Sequence, residues 1–240
     1  MVDARWWGYG TPLTSASVTA FRTLVGLAAV AAVVDWLAVC RRHERLEYAA
    51  KPAVLALLTA AAAVLPSADT DLVDRRWWFV AALVCCLVGD VLLMLPRDLF
   101  VPGLAAFLAG HLLFIVGLLQ PPAPPGTPPF AFSSVGLAVA SAVAVAYGAV
   151  PTVLIFRALR RDGHRQLIPP VGVYLVAILT MAVLAANVGV PTAAAGAALF
   201  VASDTVLALD RFVRPLRHGD LSVHVTYHLA QGLLVLSLAH

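Results

Sequence analysis

The stretch "WWFVAALVCCLVGDVLLML", residues 77–95, decides the fold class of this chain. It contains a single charged side chain, Asp90, in an otherwise apolar run. Because an α-helix rises about 1.5 Å per residue, a run of this length spans the roughly 30 Å hydrocarbon core of a bilayer. The stretch therefore predicts a membrane-spanning helix, and its carboxylate raises the question of what a charge does in lipid.

The rest of the chain has the same character. Hydrophobic residues make up 61% of it and charged residues 12%, and the mean hydropathy of +0.91 lies well above that of soluble domains. Apolar stretches recur without a change in composition between them, which predicts one all-α domain over residues 1–240. This domain would be a polytopic membrane helix bundle of about eight transmembrane helices. The predicted spans are 17–40, 49–66, 77–95, 99–119, 132–156, 167–188, 191–209 and 221–239.

The positive charges predict how the bundle is oriented. Twelve Lys and Arg residues follow the odd-numbered spans, against only Arg5, Arg75 and Arg76 on the opposite side. The positive-inside rule therefore predicts a multi-pass protein of the cell membrane with both termini outside the cytoplasm. Because this topology accounts for the net charge of +3, no nucleic-acid partner is predicted. The twelve are Arg41, Arg42, Arg45, Lys51, Arg97, Arg157, Arg160, Arg161, Arg165, Arg211, Arg214 and Arg217.

Two carboxylates lie at matching depths in two of the spans. Asp90 precedes Arg97 by seven residues, and Asp204, in "VASDTVLALDRF", precedes Arg211 by the same interval. Each carboxylate is therefore expected roughly 10 Å inward from the same membrane face. An isolated carboxylate in hydrocarbon is costly, whereas two that face the interior of a bundle can share a proton or contact water. The sequence predicts that the two come together.

The surroundings of these aspartates hint at an internal duplication. Both begin the pattern D-x-x-L-x-L, and the next span after each carries a histidine, His111 in one case and His224 in the other. Four spans separate the copies, and an even number keeps the direction of the helices. The possible repeat is therefore parallel.

The last span carries a stripe of polar side chains. His224, Tyr227, His228 and Gln231 follow the spacing i, i+3, i+4, i+7, so they share one helical face. Lipid does not favour such a face, and we expect it to point into the bundle. For the histidines, a structural role as hydrogen-bonding groups between helices remains as open as a functional one.

Four other polar side chains lie in or beside apolar spans. His111 follows Gly110 in the fourth span, and Tyr174 lies in the sixth. Asp35 and Lys51 lie near the cytoplasmic ends of the first two spans, where we expect them to snorkel to the interface or to pair with basic neighbours.

Four segments give the chain a resemblance to a known family. They are "GDVLLML" at 89–95, "GLAAFLAGHLLFI" at 103–115, "GAALFVASDTVLALDRF" at 196–212 and "TYHLAQGLLVLS" at 226–237. In content and order they resemble the YhhN family, which includes the TMEM86-type lysoplasmalogenases. The resemblance implies an eight-helix membrane hydrolase that cleaves the vinyl ether bond of lysoplasmalogens to a fatty aldehyde and a glycerophospho-headgroup. It also implies that Asp90 and Asp204 are the catalytic pair.

The chemistry of vinyl ether hydrolysis suits two carboxylates. The reaction begins with proton transfer to carbon, forms an oxocarbenium-like cation and ends with the addition of water. One carboxyl group held protonated would act as the acid, while the other would stabilise the cation and activate water. Which aspartate is the acid remains open at this point, and no cofactor is predicted.

The remaining polar side chains are candidates for binding a lysophospholipid substrate among the membrane lipids. Lys51 would contact the lipid phosphate at the cytoplasmic edge, while His111, His228 and Gln231 would orient water or the glycerol hydroxyl. The substrate-binding candidates are Lys51, His111, Tyr174, His224, Tyr227, His228 and Gln231.

Two other functions remain open. One is a proton-coupled transporter of lipids or small molecules, in which the carboxylates form a proton relay. The other is a metal-dependent lipid hydrolase, in which His111, His224 and His228 bind Zn²⁺ together with an aspartate. The sequence contains no HExxH segment to support the metal site, and it does not indicate an oligomeric state.

Overall fold

The computed structural model describes residues 15–65, 75–120 and 134–239, with side chains from residue 16 and, in the third range, from residue 148. Every regular element in these ranges is helical, which confirms the predicted all-α class. Two short 3₁₀ turns, Arg165–Leu167 and Ser237–Ala239, flank the longer helices. The α-helices are α1 (Ser15–Cys40), α2 (Glu44–Val64), α3 (Arg75–Met94), α4 (Phe100–Leu119), α5 (Ser134–Arg161), α6 (Ile168–Asn187), α7 (Pro191–Phe212) and α8 (Gly219–Leu236).

The helices form a polytopic membrane bundle. Seven of those in the described ranges, α1–α4 and α6–α8, are long and apolar enough to cross a bilayer. Large apolar side chains such as Val30, Leu112 and Val176 point outward from them. Such a surface would be unfavourable in water and is suited to lipid. The protein is therefore a multi-pass membrane protein, while residues 121–130, between the predicted fourth and fifth spans, lie outside the described ranges.

Three helices continue by at least three residues past the boundaries that hydropathy predicts. α2 begins at Glu44 instead of residue 49, α5 ends at Arg161, and α7 ends at Phe212. Hydropathy marks where a helix leaves the hydrocarbon, and the backbone can remain helical beyond that point. In α2 the added turn carries Glu44 and Glu47, whose negative charges are favourable at a helix N-terminus.

Six helices close a ring, in the order α2, α3, α4, α6, α7, α8 and back to α2. α1 packs outside this ring against α2 and α8, and α5 packs against α6 and α7. In a parallel repeat of four helices, α4 corresponds to α8 and α6 corresponds to α2. The contact between α4 and α6 is therefore equivalent to the contact between α8 and α2, as such a repeat would require. This order places α3 and α7 on opposite sides of the ring, so the two helices that carry Asp90 and Asp204 can face each other across its interior.

Glycines bring neighbouring helices of the ring into close contact. A Cβ atom added at Gly110 of α4 would lie 2.8 Å from the Cys86 sulfur and 3.2 Å from the Ala82 carbonyl oxygen, both in α3. A Cβ atom at Gly196 of α7 would lie 2.9 Å from the Ala230 carbonyl oxygen in α8. Because no side chain fits at either position, α3–α4 and α7–α8 form two tight helical hairpins.

Candidate active site

A cavity of about 620 Å³ is lined by the six helices of the ring together with α5. Its wall includes Glu44, Pro96 and Arg211 at the ends of α2, α3 and α7, and it also includes Asp90 and Asp204. The cavity therefore leads from the end of the bundle where the basic connections lie to Asp90, which is buried, and to Asp204, which is partly exposed. The wall combines apolar and polar side chains, as in a site for an amphipathic molecule.

Asp90 forms a buried ion pair on one side of this cavity. The residue is 1% exposed, and the Lys51 ammonium of α2 lies 3.3 Å from its Oδ1 atom. The Tyr227 hydroxyl of α8 donates a hydrogen bond of 2.8 Å to its Oδ2 atom. The expectation that Lys51 snorkels to the interface is wrong, because the lysine is itself buried and faces a carboxylate inside the ring.

Asp204 lies on the cavity wall with a different set of neighbours. Its side chain is 18% exposed, and its Oδ2 atom is hydrogen-bonded to the Tyr174 hydroxyl of α6. The same hydroxyl lies 2.8 Å from Nε2 of His111 in α4, and that nitrogen is 3.8 Å from Asp204 Oδ2. Behind it, His111 Nδ1 lies 3.4 Å from the sulfur of Met181. Asp204, Tyr174 and His111 form a continuous polar row from the cavity into the protein.

The two halves of the bundle exchange contacts at these aspartates. Asp90 of α3 is bound by Tyr227 from α8, the helix that follows Asp204 in the chain. Asp204 of α7 lies near His111 from α4, the helix that follows Asp90. The α3–α4 hairpin thus contributes Asp90 and also His111, which lies near Asp204. The α7–α8 hairpin contributes Asp204 and also Tyr227, which binds Asp90. These crossed contacts hold both aspartates on one cavity.

The polar stripe of α8 divides between the cavity and the protein interior. His224 and Tyr227 line the cavity, whereas His228 and Gln231 are buried and are not among its lining side chains. His228 accepts a hydrogen bond of 3.2 Å on Nδ1 from the indole of Trp36. Within the described ranges the Gln231 amide has no hydrogen-bond partner. His111 is likewise fully buried behind Tyr174, so of the predicted substrate-binding residues only Lys51, Tyr174, His224 and Tyr227 face the cavity.

Asp35 belongs to a further polar cluster that the sequence did not predict. The residue is fully buried, and its Oδ2 atom lies 2.7 Å from His224 Nδ1 and 3.7 Å from His228 Nδ1. The expectation that Asp35 snorkels is wrong, because its carboxylate lies in the contact between α1 and α8, against His224 of α8. The sequence offered no clear signal for this burial, because Asp35 lies close to the end of α1 and its position does not show which helix packs over it.

No metal centre is built from the side chains that the structure describes. In that part of the chain, no group of three His, Cys, Asp or Glu side chains is arranged to hold one metal ion. The histidines that were candidates for zinc ligands lie in different contacts: His111 contacts Tyr174 and Met181, whereas His224 contacts Asp35.

Comparisons with known proteins place the chain in a family. The model of the YhhN family matches residues 46–238. Human "Lysoplasmalogenase TMEM86B" is 36% identical over 156 residues, which are 65% of this chain and 61% of the human protein's length. A Mycobacterium bovis protein named "Lysoplasmalogenase" is 38% identical over 199 residues, which are 81% of this chain and 70% of that protein. No solved structure matches the chain. The family match covers most of the sequence and includes every residue that lines the cavity from Glu47 onward. The protein therefore belongs to the YhhN family.

Proposed function

We propose that this protein hydrolyses the vinyl ether bond of lysoplasmalogens, releasing a fatty aldehyde and a glycerophospho-headgroup, with Asp90 and Asp204 as its catalytic carboxylates. The observation that carries the proposal is that both aspartates line one cavity, which reaches the end of the bundle. The names of the human and mycobacterial relatives support the choice of substrate.

The reaction needs the two functions that such a pair supplies. A proton must reach the outer carbon of the vinyl group, and the resulting cation needs a negative charge close to it. Fixed charges act strongly in a site of low dielectric, because little solvent rearranges around them. Glycosidases use two carboxylates for a similar oxocarbenium-like transition state.

The cavity fits an amphipathic substrate with one chain. Its volume of about 620 Å³ lies within the range of sites that bind small molecules. Leu93, Phe107 and Ile178 supply apolar wall, and Tyr174 and His224 supply polar wall. The headgroup would lie toward the bundle end, and the vinyl ether would lie between the aspartates.

The structure changes the role that we assign to Lys51. Its ammonium is 3.3 Å from the Asp90 carboxylate, so we assign it to that carboxylate instead of to a lipid phosphate. His111 acts on substrate only through Tyr174, while His228 and Gln231 support the packing of α8. Tyr174, His224 and Tyr227 remain the candidates for direct contact.

The decisive experiment measures aldehyde release from lysoplasmenyl-ethanolamine by the purified protein in detergent. Asp90→Asn and Asp204→Asn are compared with wild type, and Asp162→Asn serves as the matched control because Asp162 is an exposed loop carboxylate. We expect losses on the order of 10²- to 10⁴-fold for the first two variants, the usual contribution of acid–base catalysis, and full activity for the control.

Two substrate analogues sharpen this experiment. The saturated 1-alkyl lipid has no double bond to protonate, so we expect it to inhibit without releasing aldehyde. The 1-acyl lipid tests for ester hydrolysis. Absence of aldehyde from folded wild-type protein would contradict the proposal, and proton-coupled lipid uptake into proteoliposomes would then identify a transporter.

We further propose that both termini lie outside the cytoplasm and that the cavity opens toward the cytoplasmic leaflet. The basic connections surround the end of the bundle that the cavity reaches, and positive loops remain preferentially in the cytoplasm. In a bacterial host, alkaline phosphatase fused after residue 240 is expected to be active, and the matched fluorescent-protein fusion is expected to be dark. The reverse pattern would contradict this orientation.

A further inference from the structure

The hydrogen-bond donors that contact Asp90 indicate that its carboxyl group is ionised. Both of its partners are donors, the Lys51 ammonium at Oδ1 and the Tyr227 hydroxyl at Oδ2. In the described part of the chain, neither donor has a second carboxylate as its partner. A protonated Asp90 would leave a buried lysine without a counter-charge, which is strongly unfavourable in a membrane interior.

Asp204 has no such cation. Within residues 16–65, 75–120 and 148–239, no lysine or arginine is paired with it, and its one ion-pair contact is with His111 at 3.8 Å. Its Oδ2 atom contacts the Tyr174 hydroxyl, which also contacts His111 Nε2. A phenol has one hydrogen, whereas these two contacts require two.

The sulfur of Met181 decides where the second hydrogen lies. A thioether offers only lone pairs, so the His111 Nδ1 atom that faces it at 3.4 Å carries a hydrogen. A neutral imidazole with hydrogen on Nδ1 accepts at Nε2, and the hydrogen it accepts comes from Tyr174. The hydrogen between Tyr174 and Asp204 then belongs to Asp204. The other arrangement, an imidazolium beside a carboxylate, would place a full charge on a completely buried ring, at a greater desolvation cost.

We propose that Asp204 is the protonated general acid of the site, held in that form by the Asp204–Tyr174–His111 row, and that Asp90 is the anion that stabilises the cation. This assignment rests on the function proposed above. Tyr174 and His111 are positioning residues in it, because they fix the proton on Asp204 without giving it to the substrate.

The proton movements balance over the reaction. Rotation of the Asp204 carboxyl about its Cβ–Cγ bond brings the protonated oxygen to the cavity. Its O–H bond breaks as the double-bond electrons form a C–H bond at the outer vinyl carbon, and the inner carbon becomes an oxocarbenium ion opposite Asp90. Water adds to that carbon and returns one proton to Asp204. The hemiacetal then separates into aldehyde and alcohol as its hydroxyl proton moves to the departing glycerol oxygen.

Infrared difference spectroscopy tests the assignment without substrate. A protonated carboxyl group has a C=O stretching band that shifts in D₂O, and a carboxylate lacks this band. At neutral pH, we expect the band in wild type and in Asp90→Asn, and we expect its loss in Asp204→Asn. A wild-type protein without the band, or a band that Asp90→Asn removes and Asp204→Asn retains, overturns the assignment.

Tyr174→Phe provides a second variant in case Asp204→Asn does not fold. It removes the oxygen that accepts the Asp204 hydrogen but leaves the carboxyl group, so we expect the band to shift in frequency and remain. An unchanged band would overturn the role of Tyr174. These spectra fail or succeed independently of the aldehyde assay, which tests the proposed function, so the two failures are distinguishable.

Discussion

The two sides of the cavity carry the same sequence pattern in different electrical surroundings. Asp90 and Asp204 both begin D-x-x-L-x-L on helices at equivalent places in the ring. In the repeat, α2 beside Asp90 corresponds to α6 beside Asp204. α2 supplies Lys51 to Asp90, whereas α6 supplies Tyr174 to Asp204. One side of the cavity therefore holds an ion pair and the other a row of neutral donors and acceptors. The comparison teaches that a repeated motif acquires two chemical roles through its neighbours.

The largest expected effect comes from removing the cation of the Asp90 side. Lys51→Met leaves a buried carboxylate without a counter-charge, which we expect to lower the free energy of unfolding by about 3–5 kcal/mol and to abolish aldehyde release. The double variant Lys51→Met/Asp90→Asn removes that charge as well, so it should regain most of the stability and remain inactive.

Unfolding in detergent followed by circular dichroism measures these effects. Arg161→Met is the matched control, since Arg161 forms an exposed ion pair with Asp162 and exposed pairs contribute little. If the double variant were no more stable than Lys51→Met, the buried ion pair would not account for the loss.

The next effect compares the two tyrosines. Tyr174→Phe removes the hydroxyl that contacts Asp204, and we expect kcat to fall about tenfold to a hundredfold, as for the loss of one buried hydrogen-bond partner. Tyr227→Phe leaves Asp90 its ion pair with Lys51, so the fall should be smaller. Steady-state kinetics on both variants measure kcat and KM separately, and equal losses would contradict the difference between the two sides.

A third variant separates stability from catalysis. Asp35→Asn weakens the buried contact with His224 Nδ1, and we expect a loss of about 1–3 kcal/mol in stability. Its effect on kcat should be far smaller than that of Asp204→Asn, because Asp35 does not line the cavity. Thermal unfolding and aldehyde release are measured on the same samples; a larger effect on kcat than on stability would place Asp35 in the catalytic machinery.

The smallest expected effect concerns the sulfur behind His111. Met181→Leu conserves volume but removes the acceptor at 3.4 Å from Nδ1, so we expect a loss of about 0.3–1.5 kcal/mol in stability and a slightly lower kcat. The sensitive readout is the infrared band of Asp204, which should weaken as His111 changes tautomer. A band identical to that of wild type would contradict the role of the sulfur.

The candidate site was predictable from the sequence only in part. Asp90 and Asp204 stand out because a charge in an apolar span is rare and costly, and Tyr227 and His224 stand out because they share a polar face. Asp35 was misjudged, since the interval to the end of a helix says nothing about which helix covers it. The pairing of Lys51 with Asp90 joins residues of two helices whose rotation the sequence does not specify.

The sequence by itself determined that this is an all-α membrane bundle with two carboxylates in its interior. Hydrophobic length and the cost of charge in lipid are local properties, and they can be counted along the chain. Only the tertiary structure decided the partners: Lys51 for Asp90, Tyr174 and His111 for Asp204, and Asp35 for His224. Those contacts depend on the order of helices around the ring and on the rotation of each helix about its axis. Helical periodicity defines a face, but the packing of several helices together determines which neighbour that face contacts.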